Sequence, residues 1–172
     1  MGGLVPYRQR ESYTRHIGVV FGQRTQLWWD LAVVESFRLL QRIYEVPEVR
    51  YRERMAFFDQ LLGLSEFLHQ PVRKLSLGQR MRCDLAAALL HEPRVLFLDE
   101  PTIGLDVVAK ENVRIFLRQA REQLGVTIIL TTHDLSDIEQ LCRRVIIIDR
   151  GKVLYNGLLD DLRRGPGHRL RL

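Results

Sequence analysis

The chain has 172 residues, 46% of them hydrophobic and 27% charged, enough for one core of ordinary size and unlike a disordered segment. Its formal charge of +5 comes almost wholly from arginine, since Lys74, Lys110 and Lys152 are the only lysines, and it is spread over every segment rather than gathered on one stripe, which argues against a nucleic-acid binder. No apolar stretch approaches the roughly 20 residues of a spanning helix, and Cys83 and Cys142 have neither zinc-site spacing nor a disulfide framework.

Residues 1–16 are turn-rich and basic, without a periodic apolar face. A short strand over 17–21 stops at Gly22-Gln23. Asp30 is placed to cap a helix whose apolar positions Val33, Val34, Phe37, Leu40 and Ile43 recur at helical spacing. A second helix is predicted over 52–62, with Met55, Phe58, Leu61 and Leu62 on one side, and Pro71 breaks the chain before Leu75-Ser76-Leu77-Gly78-Gln79-Arg80. The Ala-rich run within 77–90 reads as a buried helix ended at Glu92-Pro93. Regular α/β alternation follows: a strand over 95–98, a helix over 107–124 closed by Gly125, a strand over 126–131, a helix over 135–142, then a strand over 145–148 that turns at Asp149-Arg150-Gly151-Lys152 into Val153-Leu154-Tyr155. Such alternation implies a parallel sheet.

The chemistry-bearing feature is the apolar run Val95-Leu96-Phe97-Leu98 ending in Asp99-Glu100. A buried parallel strand that delivers two adjacent carboxylates at its C-terminal end suits a magnesium-phosphate group, because a hard cation takes oxygen ligands. A helix-capping or surface acid pair is the plain alternative. Ser76, Gly78 and Gln79 open a helix, so that a hydroxyl, unpaired backbone N–H groups and the positive helix end face outward toward an anion. His133 follows Thr131-Thr132 after a buried strand, where an imidazole can donate to a phosphate; a lone histidine is otherwise more often structural. Asp106 in Gly104-Leu105-Asp106 is an N-cap for the helix that follows, a role compatible with a second one. Trp28 and Trp29 either fill a core or lie exposed as anchors for a partner, and the residues alone do not choose.

Five motifs in this order make the chain similar to the nucleotide-binding domain of the ATP-binding cassette (ABC) transporter family. The match runs over 17–157. Within the family, the run from Val20 to Asp30 and the Leu75 to Arg80 motif most resemble the ATPases of daunorubicin-type drug and polysaccharide exporters. The resemblance implies an α/β fold, a P-loop NTPase-like parallel sheet flanked by helices with a helical signature subdomain. It assigns 1–16 to the remnant of an N-terminal β region, 17–93 to the Q-loop and helical signature subdomain, 94–157 to the Walker B, D-loop and H-loop core, and 158–172 to a C-terminal helix and frayed tail. It implies ATP and Mg2+ as cofactors, with Asp99 and Gln23 toward the metal and Glu100 and His133 catalytic. Ser76, Gly78, Gln79 and Asp106 then face the nucleotide across a dimer. Leu77 stands where many members have glycine; a helix start supplies the negative φ that leucine asks for. The implied partners are a second nucleotide-binding domain and a transmembrane permease met near Trp28 and Trp29, with the chain on the inner face of the cell membrane.

No G-x-x-x-x-G-K-[ST] loop occurs in this sequence, although such a site needs that backbone cradle for its phosphates. The resembling family carries the loop ahead of the strand at 17–21, and Met1-Gly2-Gly3-Leu4-Val5-Pro6 resembles the interior of its members. The expectation is therefore an N-terminally truncated ATPase with the first strands and phosphate loop absent and little activity alone. The alternative is a catalytically incompetent module that lends its signature face to a complete partner ATPase.

Overall fold

The computed structural model describes residue 3, residues 5–22 and residues 24–164. The chain divides into two compact units, Met1–Thr131 and Thr132–Leu172.

In the first unit a short helix α1 (Arg10–Thr14) precedes strand β1 (Ile17–Phe21). Three helices follow, α2 (Val33–Ile43), α3 (Glu48–Leu62) and α4 (Leu77–Leu89), then strand β2 (Val95–Asp99), helix α5 (Val107–Leu124) and strand β3 (Thr127–Thr131). The strands form one parallel sheet in the order β1-β2-β3. Parallel pairing requires long crossovers, and α2 to α4 supply one while α5 supplies the other. Register is even throughout, so Phe21, Asp99 and Thr131 make one row at the C-terminal edge.

Leu96 and Leu98 are buried on one face of β2, as the period of two demands. The main core lies among the helices: Phe37 of α2, Phe58 and Leu62 of α3, Leu85 and Leu89 of α4, and Phe116 and Leu117 of α5 are all essentially inaccessible. Phe58 meets Phe116 edge-on, with ring centroids 6.3 Å apart. β1 approaches α4 so closely that a Cβ on Gly18 would come within 2.4 Å of the Ala88 carbonyl oxygen. Only glycine fits there.

Two boundaries differ from expectation. α2 is capped by Ala32, whose N–H donates to Glu35 Oε2 at 3.0 Å, and Asp30 instead pairs with Arg73. The aspartate is thus engaged by Arg73 instead of the cap. α3 begins at Glu48 instead of residue 52, directly after Pro47; proline sets the turn that starts it, and Glu48 is then held by Gln41, Arg38 and Arg52, which keep its carboxyl down at about 2.

In the second unit, helix α6 (Leu135–Leu141) is followed by strands β4 (Arg144–Asp149) and β5 (Lys152–Leu158) and helix α7 (Leu159–Arg164). β4 and β5 pair antiparallel across Arg150 (φ 46) and Gly151 (φ 74), the double positive φ of a two-residue hairpin turn. Cys142 caps α6 and is only partly buried, whereas Cys83 lies buried in α4. Among the described residues no helix is long and apolar enough to cross a membrane. The expected fray of the tail falls on residues 165–172, outside those described.

Candidate functional site

β2 ends at Asp99, and two neighbours bind it there. The Thr131 hydroxyl donates to Asp99 Oδ1 at 2.6 Å, while the Gly22 N–H donates to the Asp99 carbonyl oxygen at 2.7 Å. A Cβ on Gly22 would lie 2.2 Å from the Glu100 carbonyl oxygen, so the chain leaving β1 is pressed directly against the acid pair. Glu100 itself has φ 51, the left-handed region in which a non-glycine residue is strained by roughly 1–3 kcal/mol. It is held so by its N–H donating to the Thr131 carbonyl at 3.0 Å and by Ile103 N–H donating to its own carbonyl at 3.2 Å. Strain fixed from both sides turns the glutamate out of the strand direction.

Ser76 is the N-cap of α4, with an extended backbone (φ −62, ψ 163). Its Oγ accepts from the Gln79 N–H at 3.2 Å, and Gln79 Oε1 accepts from the Ser76 N–H at 2.9 Å, a reciprocal capping box. Leu77 is the first helical residue and its φ is not positive; its side chain is compatible with this helix start. Gly104 sits over Leu77, since a Cβ there would reach Leu77 Cδ2 at 3.1 Å, and a Cβ on Gly78 would reach the Ala109 side chain at 3.3 Å. The signature turn and the Gly104-Leu105-Asp106 turn are therefore in contact. Asp106 caps α5, its Oδ1 accepting from the Ala109 N–H at 2.8 Å.

The structure thus joins Asp99, Glu100 and Thr131 at one sheet edge, and Ser76, Gly78 and Gln79 to the turn that carries Asp106. Gln23 lies outside the described residues, between Gly22 and the described segment from Arg24. His133 belongs to the second unit, where it is exposed beside a Thr132 hydroxyl that donates to the fully buried Asp137 at 3.1 Å. Trp28 and Trp29 are 40% and 48% exposed, and the Arg80 guanidinium lies 4.8 Å from the Trp29 ring.

Sequence reasoning missed Thr131 and Asp84. Thr131 depends on register, which one chain does not display. Asp84 had a signal: a carboxylate inside the apolar run of α4 is out of place unless something binds it. A cavity of about 170 Å³ opens beside β1, with Asp84 and His91 in its wall, and not at Asp99. The acid pair occupies an open rim, and the chemical case for it rests on its donors instead of enclosure.

Asp99, the Thr131 hydroxyl and the rim position suit a magnesium ion that keeps several waters and arrives with phosphate oxygens. Among the described residues no three His, Cys, Asp or Glu side chains cluster as a metal cage.

A parallel sheet flanked by helices, with an acid pair at the end of β2 and a serine-capped α4, is an α/β fold of the P-loop NTPase-like class. A protein-family model described as ABC transporter matches residues 3–103, more than half of the chain, and the chain belongs to that family. It is 29% identical over 160 residues to the ABC transporter ATP-binding protein NatA of Bacillus subtilis, covering 93% of this chain and 65% of NatA. It is 30% identical over 162 residues to the linearmycin resistance ATP-binding protein LnrL of the same organism, covering 94% and 51%. Relatives named for phosphonate import and for spermidine/putrescine import also match. The solved structure of an ATP-binding subunit of an ABC transporter superposes with a TM-score of 0.82 at 28% identity, covering 95% of this chain and 68% of that one. The chain therefore spans about two thirds of NatA and about half of LnrL.

Proposed function

We propose that this chain is the ATP-binding and ATP-hydrolysing part of an ABC exporter, powering transport through a membrane partner. The observation that carries the reading is the sheet-edge arrangement in which Thr131 holds Asp99 while Glu100 is held at positive φ. An acid pair that merely capped a helix needs neither the hydroxyl nor the strain. Export in particular rests on the likeness of residues 20–30 and 75–80 to drug-exporter ATPases, with the resistance name of LnrL in the same sense.

When bound, ATP and Mg2+ supply the phosphoryl group and the cation that neutralises its charge. Asp99 would hold the cation through water, its carboxylate kept in place by the Thr131 hydroxyl. Glu100 accepts the proton of the attacking water, and its backbone strain sets the direction in which it presents the carboxylate. His133 would donate to the γ-phosphate, and Gln23 would respond to the metal and its water. Ser76, Gly78 and Gln79 present a hydroxyl and helix-start N–H groups to the γ-phosphate bound by a second copy or a related domain, and Asp106 crosses toward that partner. The exposed Trp28 and Trp29 offer apolar area to the permease, which holds the domain at the cytoplasmic face of the membrane.

The second reading is a module that lends its Ser76 face to a complete ATPase, through the hydroxyl and helix-start N–H groups of the α4 capping box. Phosphate release from Mg-ATP separates the two when measured on the chain alone, on the chain with a loop-bearing segment fused in front, and on the chain mixed with a complete relative. The first reading requires turnover in the fused form and its loss by at least about a hundredfold in Glu100→Gln, the lower range for removing a general base. Stimulation of the complete relative that is indifferent to Glu100→Gln establishes the second.

A further inference from the structure

Residues 24–30 leave the sheet edge and run past α4, and they are fastened in two places. The later part is tied to other elements: Trp28 N–H donates to Ser36 Oγ at 3.3 Å, Arg73 N–H to the Trp29 carbonyl at 3.0 Å and Val72 N–H to the Leu31 carbonyl at 3.0 Å. The earlier part is tied to a single residue of α4. Asp84 Oδ1 accepts from the Thr25 hydroxyl at 2.8 Å and from the Gln26 N–H at 3.1 Å, and the Asp84 carbonyl accepts from Gln26 Nε2 at 3.1 Å. Thr25 Oγ1 in turn accepts from the Leu27 N–H at 3.1 Å. Arg80, one helical turn before Asp84 and so on the same face of α4, lies against Trp29.

Asp84 is only 3% exposed. Placing a carboxylate there costs desolvation that an alanine would not, and a buried acid of this kind persists where its hydrogen bonds hold something in place. What it holds follows from chain order. Gly22, one residue before Gln23, is fastened to the Asp99 carbonyl; Thr25, two residues after it, is fastened to Asp84. Gly22 is thus fastened to the acid-bearing end of β2, and Thr25 and Gln26 to the helix that Ser76 opens.

We infer that Asp84 is a positioning residue that clasps the Thr25 to Leu27 segment to the signature helix, so that this segment and the Ser76 helix are carried as one piece. The inference rests on the nucleotide reading proposed for Gln23 and Ser76. It predicts that the clasp acts locally, on the Thr25 to Leu27 backbone, and sets the geometry of turnover without setting the affinity for nucleotide.

The test is amide hydrogen exchange on the full chain, comparing wild type with Asp84→Ala, Asp84→Asn and Thr25→Val. Asparagine keeps an acceptor oxygen in place and should leave exchange near wild type. Alanine should speed exchange at Gln26 and Leu27 by about ten- to a hundredfold, the span of a lost hydrogen bond to a charged group, with α3 and β2 unchanged. Should Asp84→Ala not fold, Thr25→Val serves in its place, releasing the Leu27 N–H. Exchange at Gln26 and Leu27 that is unaltered in these variants, or that rises equally throughout the unit, overturns the clasp. In the loop-fused form, Asp84→Ala should lower kcat for Mg-ATP with KM unchanged, and Asp84→Asn should restore it. Turnover that depends on Glu100 but is indifferent to Asp84 overturns this inference alone; turnover indifferent to Glu100 removes the nucleotide reading beneath it.

Discussion

The Thr131 hydroxyl binds Asp99 Oδ1 at 2.6 Å across two strands that the whole of α5 separates along the chain. In the proposed site Thr131 would act as an outer-sphere partner that fixes the rotamer of Asp99. Thr131→Val keeps the β-branched shape and removes the donor. The expected outcome is an unaltered fold and a Mg2+ requirement raised about tenfold, the lower end of such losses. Titration of Mg2+ against nucleotide turnover in the loop-fused form checks it, and an unchanged requirement refutes it.

Gly22 has no room for a side chain, because its Cβ would lie 2.2 Å from the Glu100 carbonyl oxygen and 2.9 Å from that of Asp99. Both obstacles are backbone, so neither swings aside. Gly22→Ala should destabilise the first unit by about 1–3 kcal/mol, as overpacking does. Urea denaturation reads this directly, and wild-type stability in the variant would show that the two segments separate easily.

Ser76 contributes to stability whatever it does for a nucleotide. Its Oγ accepts from the Gln79 N–H, and Ser76→Ala should cost about 1 kcal/mol through the lost cap. Ser76→Asp, which keeps a capping acceptor but adds negative charge, should retain stability and impair nucleotide-dependent association. Melts of both variants beside an association assay distinguish the two roles.

Burial pushes the Asp84 carboxyl up from its ordinary 3.8 to about 6, against hydrogen bonds from Thr25 and Gln26 and the charge of Arg80, which pull it down. Between those two values the native state holds a proton that the unfolded chain has released. Stability should therefore fall as pH rises through that window, and level off above it. Asp84→Asn should remove this part of the slope. Urea denaturation repeated from about pH 4 to about pH 7 measures it, and an identical slope in the variant assigns the dependence elsewhere.

The Cys83 thiol is pushed up to about 12, mainly by burial and further by the charge of Asp84. Only the thiolate is a nucleophile. Cys83 should stay unmodified by iodoacetamide at neutral pH in the folded chain and react once the chain is denatured. Peptide mass spectrometry reads the site, and native labelling of Cys83 would show that α4 opens.

Much of this molecule is local in origin. α5 spans Val107–Leu124 between an Asp106 cap and Gly125 at φ 65, both readable because capping and left-handed closure depend on residue type at adjacent positions. The same holds for α4, whose Ser76 and Gln79 form their box within one turn. Asp30 misled because its competitor for hydrogen bonding, Arg73, is 43 residues away in the chain.

The amino-acid sequence by itself determined most of the helices and strands, though not α1 within the stretch read as turns, and with them the acid pair at the end of β2 and the family, since periodicity, caps and motif order are short-range properties. Only the tertiary structure decided that Thr131 stands beside Asp99, that Glu100 is held at positive φ, that Gly22 is pinned beneath the acid pair and that Asp84 fastens Thr25 and Gln26. Each of these depends on strand register or on one element crossing another, and such contacts are set by how the whole core packs, which no local stretch of chain encodes.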